Sequence, residues 1–330
     1  MSNRIIFLYI VSVLLLWPNL TLAEDGRFSV ILSEVCFLPK EGESEWVEVM
    51  NISAKPVNIS GWKITNGDFT FVLPKNLRLI PGNHLLIIFD GKDKTEYKDG
   101  VYMVHSFRGI DGDVLGNAVA GECALYDTKE KMMAFVAWGD YTFESELMAD
   151  AVKEGVWLSL NHVVLVQRRV GGVVGPIKEI KRGGTIGVYD YPEINPADAN
   201  EWVVYDPDEV SPGMLNPLAR PVLHLPENGD HITEMYDMSG HLTSSMSFGC
   251  AKIPGADRYR FQLCRDKDCN DILKEGVEDY IVWKVDLKPG HHYYWRVMTI
   301  DTRTGRKSSW SRVNKLSYGY FKNSLNENGF

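Results

Sequence analysis

Long apolar runs are almost missing from this chain of 330 residues, and cysteine is scarce. The one extended apolar run, Ile5 to Trp17, falls short of the roughly 20 residues that cross a bilayer and is closed by Pro18 and Asn19. A charged start precedes it, and Thr21, Leu22 and Ala23 follow, before the acidic pair Glu24 and Asp25. Residues 1–23 therefore have the layout of a cleavable export signal. The mature chain is expected to have no membrane span and to be secreted, periplasmic or held at the cell surface. The five cysteines, Cys36, Cys123, Cys250, Cys264 and Cys269, are odd in number, so at least one stays unpaired in an oxidising compartment. No CxxC pair occurs, which argues against a structural zinc site. Cys264 and Cys269 flank the polar stretch Arg265 to Asp268 and are the expected disulfide, a small ring contributing about 2 kcal/mol. Cys36 with Cys123 is a second possible pairing.

Catalytic signatures are also missing. No segment reads GxSxG or HExxH, and no glycine loop is suited to phosphate. The eight histidines are scattered apart from His291 and His292, which read as a solvated turn. Acidic stretches at Asp90, Asp93 and Glu96, and at Asp111 and Asp113, do not reproduce the ligand spacing of a helix-loop-helix calcium site. No cofactor or metal is implied, and the expectation is that the chain is not an enzyme. Loss of the signal removes Arg4 and no acid, leaving 34 bases against 44 acids from the 35 and 44 of the whole chain. That balance disfavours duplex nucleic acid as a partner. A local basic patch at Arg168, Arg169, Lys178, Lys181 and Arg182 reads as a solvated loop.

What is present is β-pattern. Glu45 to Asn51, Asp68 to Pro74 and His84 to Asp90 are short, rich in β-branched or aromatic residues, and bounded by Gly, Pro, Asn or Asp. Phe69, Phe71 and Leu73 alternate with Thr70 and Val72, giving an apolar face that needs a second layer. One short helix is predicted, capped by Ser145, with Leu147, Met148, Ala151 and Val152 on its apolar stripe and Gly155 at its end. Prolines at 212, 217, 221 and 226 mark a domain junction, and residues 218–226 read as a semi-rigid linker. Beyond it, Tyr259, Phe261 and Leu263 alternate with Arg258, Arg260 and Gln262, and Tyr293, Trp295 and Val297 repeat that pattern.

SEVCFLP (Ser33 to Pro39), ESEWVEVMN (Glu43 to Asn51), KPVNISGWKITNG (Lys55 to Gly67) and LRLIPGNHLLII (Leu77 to Ile88) resemble a lamin tail domain, an immunoglobulin-like sandwich. Looser likeness continues through LGNAVAGECALYD (Leu115 to Asp127) and NEWVVYDPDEVSPGMLN (Asn200 to Asn216), so the resemblance covers residues 28–217. IPGADRYRFQLCRDKDC (Ile253 to Cys269) and VDLKPGHHYYWRV (Val285 to Val297) resemble a fibronectin type III domain over residues 221–318, with a polar tail at 319–330. The resemblance implies an all-β chain of two immunoglobulin-like sandwiches in tandem, with one short helix in the first. Trp46 and Trp62 are then expected as buried anchors, Gly61, Pro81 and Gly82 as turn formers, and Tyr293 as the corner tyrosine beside Trp295. Cys250 stands where that second family often has a core tryptophan, and reads as a buried free thiol.

Glu45 and Glu48, three apart on a strand, point to opposite faces and make a poor acid–base pair. Glu48 is expected to pair with Lys63 on the next strand. Asn51 and Asn58 begin glycosylation sequons. Lamin tail relatives are implied to bind proteins or nucleic acid, or to accompany secreted hydrolases. The leading expectation is an exported binding, scaffold or adhesion protein whose partner is a protein or an envelope polymer. The rivals are a hydrolase or its tethering subunit, with a site in residues 141–191 using His162, Glu154 or Glu179, and a polysaccharide binder with Trp310 and Tyr294 in an exposed row.

Overall fold

Alternation along short strands builds both halves of the chain into facing sheets. The computed structural model describes residues 28–98, 101–106, 114–115, 120–139, 144–165, 180–189, 194–235 and 239–319. Residues 1–23, expected to be an export signal, lie outside them, as do Asp111, Asp113, Arg168, Arg169, Lys178, Glu179 and residues 320–330 of the tail. Among the described residues, the first half forms a seven-stranded and a five-stranded sheet. The larger sheet runs, in spatial order, Trp202–Tyr205, Thr185–Val188, Val30–Cys36, Trp46–Asn51, His84–Ile88, Val101–His105 and Lys94–Lys98. The smaller runs Val164–Leu165, Met132–Gly139, Ala120–Tyr126, Lys63–Thr65 and Thr70–Val72. Val47, Val49, Leu85 and Ile87 from one sheet meet Ile64, Cys123, Leu125 and Phe135 from the other in a continuous core. Burial of such side chains at roughly 25 cal/mol per Å² is the main force holding the layers together.

The helix forms as its sequence predicts, over Glu146–Lys153. The Ser145 hydroxyl accepts the Met148 N–H at 2.9 Å and donates to Glu122 Oε2 at 2.6 Å, so the cap also ties the helix to the smaller sheet. Met148 and Ala151 face the core, and Gly155 follows with φ +72°. Phe71 and Leu73 are buried, as their alternation requires.

The second half is a smaller sandwich. Leu223–Leu225, Ser245–Cys250 and Val282–Asp286 make one sheet, and Asp230–Ile232, Asn314–Tyr318, His291–Ile300, Arg258–Cys264 and Ile272–Glu278 make the other. Tyr259, Phe261, Leu263, Tyr293, Trp295 and Val297 all point inward and are buried. The Tyr293 hydroxyl donates to the Lys288 carbonyl at 2.9 Å and accepts the Lys288 N–H at 3.0 Å, closing the corner expected of it. Cys250 is buried, and a core tryptophan, Trp283, stands instead on the neighbouring strand in register with Phe248. Trp283 lies over Gly276, where an added Cβ would meet its indole at 2.5 Å.

Several expectations need correction. Trp46 is not a core anchor: it is half-buried and starts its strand on the outer face of the larger sheet, opposite Cys36 and Ile88. Trp62 is buried at 6% exposure, with Gly61 at φ +73° before it, and Gly82 at φ +75° follows Pro81 in the expected turn. Glu48 does not pair with Lys63, because the two stand in different sheets; Lys63 pairs with Glu130. Cys264 and Cys269 are both buried free thiols rather than a disulfide, as are Cys36, Cys123 and Cys250. Burial pushes the Cys36 and Cys250 thiols up to about 12.

Residues 206–217 form a strap across the outer face of the larger sheet. Asn216 Nδ2 donates to the Ser33 and Val188 carbonyls, both at 2.9 Å, and Asn216 Oδ1 accepts from Ser211 Oγ at 3.1 Å. Gly213, at φ +78°, lies so close to Val101 that an added Cβ would sit 2.3 Å from it. The strap therefore buries what the outer face carries beneath it.

Candidate functional site: the junction of the sandwiches

The strap leads directly into the junction, and residues 218–226 are not the bare linker that their prolines suggest. Leu218 and Ala219 are buried in a cluster with Tyr189, Tyr205 and Ile253, drawing on both sandwiches. Short apolar residues between the prolines could have signalled this, but which surface they meet is set by the fold. The Tyr189 hydroxyl donates to Asp301 Oδ2 at 3.1 Å, and the Thr299 hydroxyl donates to the Ala219 carbonyl at 2.9 Å. The Arg306 guanidinium stands over the Tyr189 ring, 5.6 Å from its centroid. Tyr205 contributes a third anchor, its hydroxyl donating to the Pro217 carbonyl at 3.0 Å.

Asp301 is the polar centre of this contact and is fully buried. Burial works against its charge, but hydrogen bonds from Thr304, Arg303 and Tyr189 outweigh that and hold its carboxyl down at about 2. Thr304 Oγ1 lies 2.9 Å from it and Arg303 Nε 3.1 Å. The sequence marks this loop only as a turn, Asp301 to Gly305; its partner Tyr189 is 112 positions away.

Two clefts flank the junction and share Asn200. One, of about 240 Å³, is lined by His162, Trp202, Arg220, Ile253 and the aliphatic side chains around them. The other, of about 700 Å³, has Glu201 on the first sandwich facing Lys252, Asp257 and Arg303 on the second. Clefts between domains are common places for ligands. His162 Nδ1 stands 3.8 Å from Asp198 Oδ1, beyond a direct hydrogen bond. Glu154, named with it, is the backbone cap of the helix, so the structure does not bring these two together in one site.

The other candidates are also engaged elsewhere. Asp90 binds Lys92 Nζ at 2.6 Å and His105 Nδ1 at 2.8 Å, and Glu96 pairs with Lys94. Among the described residues, no group of three His, Cys, Asp or Glu is arranged to hold a metal. His292 Nδ1 lies 2.8 Å from Ser317 Oγ in an exposed position. Trp310 does not form a row with Tyr294: Arg296 stands 4.4 Å from its ring centroid and Arg260 5.9 Å, so cations occupy the aromatic surface. Lys181 pairs with Asp206 at 2.9 Å, and Arg182 reaches the Pro39 carbonyl at 3.5 Å. Asn51 is fully buried with its amide bonded to the Lys55 and Leu79 carbonyls, whereas Asn58 is exposed, so only the second sequon is reachable. Ser60 and Lys63 have the spacing of a serine–lysine nucleophile, which sequence reading passed over. Ser60 Oγ donates to Asn58 Oδ1 at 2.6 Å and Lys63 pairs with Glu130, so neither activates the other.

Comparison with known proteins gives a family match in the first half of the chain, where the Lamin Tail Domain family matches residues 26–140. The match ends near the strand Met132–Gly139, so the strap and the junction lie beyond it. Among solved structures, an Fn3-like protein from Clostridium thermocellum is 16% identical, covering 31% of this chain and 97% of that one at a TM-score of 0.21. An alpha-L-rhamnosidase from Dictyoglumus thermophilum is 14% identical, with 30% of this chain aligned to 12% of its own length at 0.22. A chain of a cytokine receptor complex is 12% identical, covering 83% and 92% at 0.22. No curated protein matches the chain.

Proposed function

We propose that this is an exported, non-catalytic binding or scaffold protein that presents two sandwiches at a fixed mutual angle and recognises its partner through the junction clefts. The observation that carries this reading is the buried Tyr189–Asp301 contact within a shared apolar cluster. Domains joined by a mobile linker move independently by default; a buried hydrogen bond beneath an apolar cluster opposes that motion. The loops around Asn200, Lys252, Asp257 and Arg303 then form one surface of fixed shape. A protein or an envelope polymer is the expected class of partner, since the charges on this surface are of both signs. The cleft that holds His162 supplies Asn200 and Arg220 as its other polar side chains, which is a set for hydrogen bonding rather than for nucleophilic attack.

The test is capture of cell-envelope fractions and of purified envelope polymers on the immobilised mature chain. The expected result is retention of a partner by the wild type and its loss in the double variant Lys252→Glu, Arg303→Glu. Turnover of a hydrolase substrate by the homogeneous chain would overturn the reading, as would partner retention unaffected by the cleft substitutions.

A further inference from the structure

Beneath the strap, two glutamates face each other across adjacent strands. Glu34 and Glu48 are register partners in the larger sheet and both are fully buried. A bulge between Leu32 and Glu34 turns Glu34 outward from the core beside Glu48. Glu48 is well supplied with donors: Ser33 Oγ at 2.7 Å, the Gly213 N–H of the strap at 2.5 Å, and His84 Nδ1 at 2.8 Å. Glu34 accepts from the Thr185 hydroxyl, and the Ser211 backbone of the strap lies near enough to favour its charged form. Its second oxygen, Oε2, is buried with no hydrogen-bond partner among the described residues.

That orphan oxygen is informative. A buried carboxylate oxygen without a donor is expensive, whereas a carboxylic acid carries its own proton and no charge. Burial, and then the charge of Glu48, push the Glu34 carboxyl up to about 8. The other titratable groups nearby are His84 on the strand beyond Glu48, Cys36 on the same strand, Tyr205 at the sheet edge and Glu209 in the strap, the last with both oxygens engaged by Asp206 N–H and Arg220 N–H. Strap backbone bonds Glu48 and lies over Glu34, and the strap passes within three residues from Asn216 to Ala219, whose carbonyl holds the second sandwich.

We infer that the strap is a proton-controlled latch: uncharged Glu34 holds residues 206–217 down on the sheet, and opening the strap lets Glu34 ionise in water, so the latch tightens in acid and loosens toward mildly alkaline conditions. The sign follows from linkage. An open strap exposes Glu34 with an ordinary carboxyl, while the closed strap raises it, so the closed state holds the extra proton. Closure is fully favoured below the ordinary carboxyl range, weakens as pH rises, and levels off once the closed form also ionises near 8. Because the strap runs into the junction, loosening it also loosens the seat of the second sandwich.

Hydrogen–deuterium exchange of the strap in the full mature chain, corrected for intrinsic rates, tests this between pH 5 and 9. The wild type is expected to open about tenfold more readily per pH unit up to a plateau near 8. Glu34→Gln, which keeps the shape without an ionisable proton, is expected to remove that slope. Glu48→Gln, which removes the neighbouring charge, is expected to bring the plateau to lower pH. The strand Met132–Gly139, in the smaller sheet of the first sandwich, serves as a folding control in every variant. A strap slope that is the same in wild type and Glu34→Gln, or a flat wild type, overturns the latch.

Discussion

The outer faces of the two sandwiches solve the same problem in opposite ways. In the first, carboxyls on the outer face lie under a strap, out of water, where Glu34 sits fully buried. In the second, charges on the outer face stay near solvent and stack: Arg260 and Glu275 pair at 2.6 Å, Arg296 Nε donates to Gln262 Oε1 at 2.9 Å, and Trp310 lies against both arginines. Covering a sheet makes each polar group on it consequential, because an unmet donor or acceptor there has no water to turn to. Leaving a sheet open makes its charges tolerant of change.

Core substitutions should show the largest effects and probe what the two sandwiches share. Trp62→Ala and Trp295→Ala, each emptying a buried indole site, are expected to lower stability by about 3–5 kcal/mol in chemical denaturation. Trp46→Ala, at a half-buried outer position, should lose well under half as much, and an equal loss would place Trp46 in the core after all. Next comes the junction. Tyr189→Phe removes a hydrogen bond to a buried charge and should cost about 1.5–3 kcal/mol of coupling between the sandwiches, seen as separation of one unfolding transition into two.

The acid limit separates the halves by sign. Asp301 is depressed, so the stability it contributes is present above its ordinary carboxyl range and is lost as pH falls through about 2. The Glu34 contribution runs the other way, present in acid and lost by about 8. Fluorescence-monitored stability should therefore fall below about pH 4 in wild type and fall less in Asp301→Asn, measured against each variant's own value at neutral pH. The smallest expected effect is Trp310→Ala, about 0.5–1 kcal/mol from the lost cation stacking on an open face. A larger loss would mean that the open face tolerates change no better than the covered one.

What was legible in the sequence follows the same division. Core-facing positions repeat every second residue, so Phe71, Leu73, Tyr259, Phe261 and Trp295 could be assigned before any fold was known. The helix was equally plain, because its cap, stripe and terminal glycine are local. Trp46 misled because the resemblance marks a matched tryptophan as an anchor without saying which side of its sheet is covered. Glu48 misled for a related reason: its partners, His84 and the Gly213 N–H, come from 36 and 165 positions away, while the nearby Lys63 belongs to the other sheet. Prolines at the junction suggest a boundary, yet the packing of Leu218 and Ala219 depends on Tyr189 and Ile253, which no local pattern connects to them. Long-range contacts of this kind leave no period in the sequence.

Rigidity at the junction is the claim on which the account most depends. Spin labels at the exposed positions Lys98→Cys and Lys284→Cys would report the distance between the sandwiches by double electron–electron resonance, because the five native thiols are buried and should not label. The expected result is a single narrow distance distribution in wild type near neutral pH that broadens in Tyr189→Phe, Asp301→Asn. A broad distribution in wild type, unchanged by that double substitution, would contradict it.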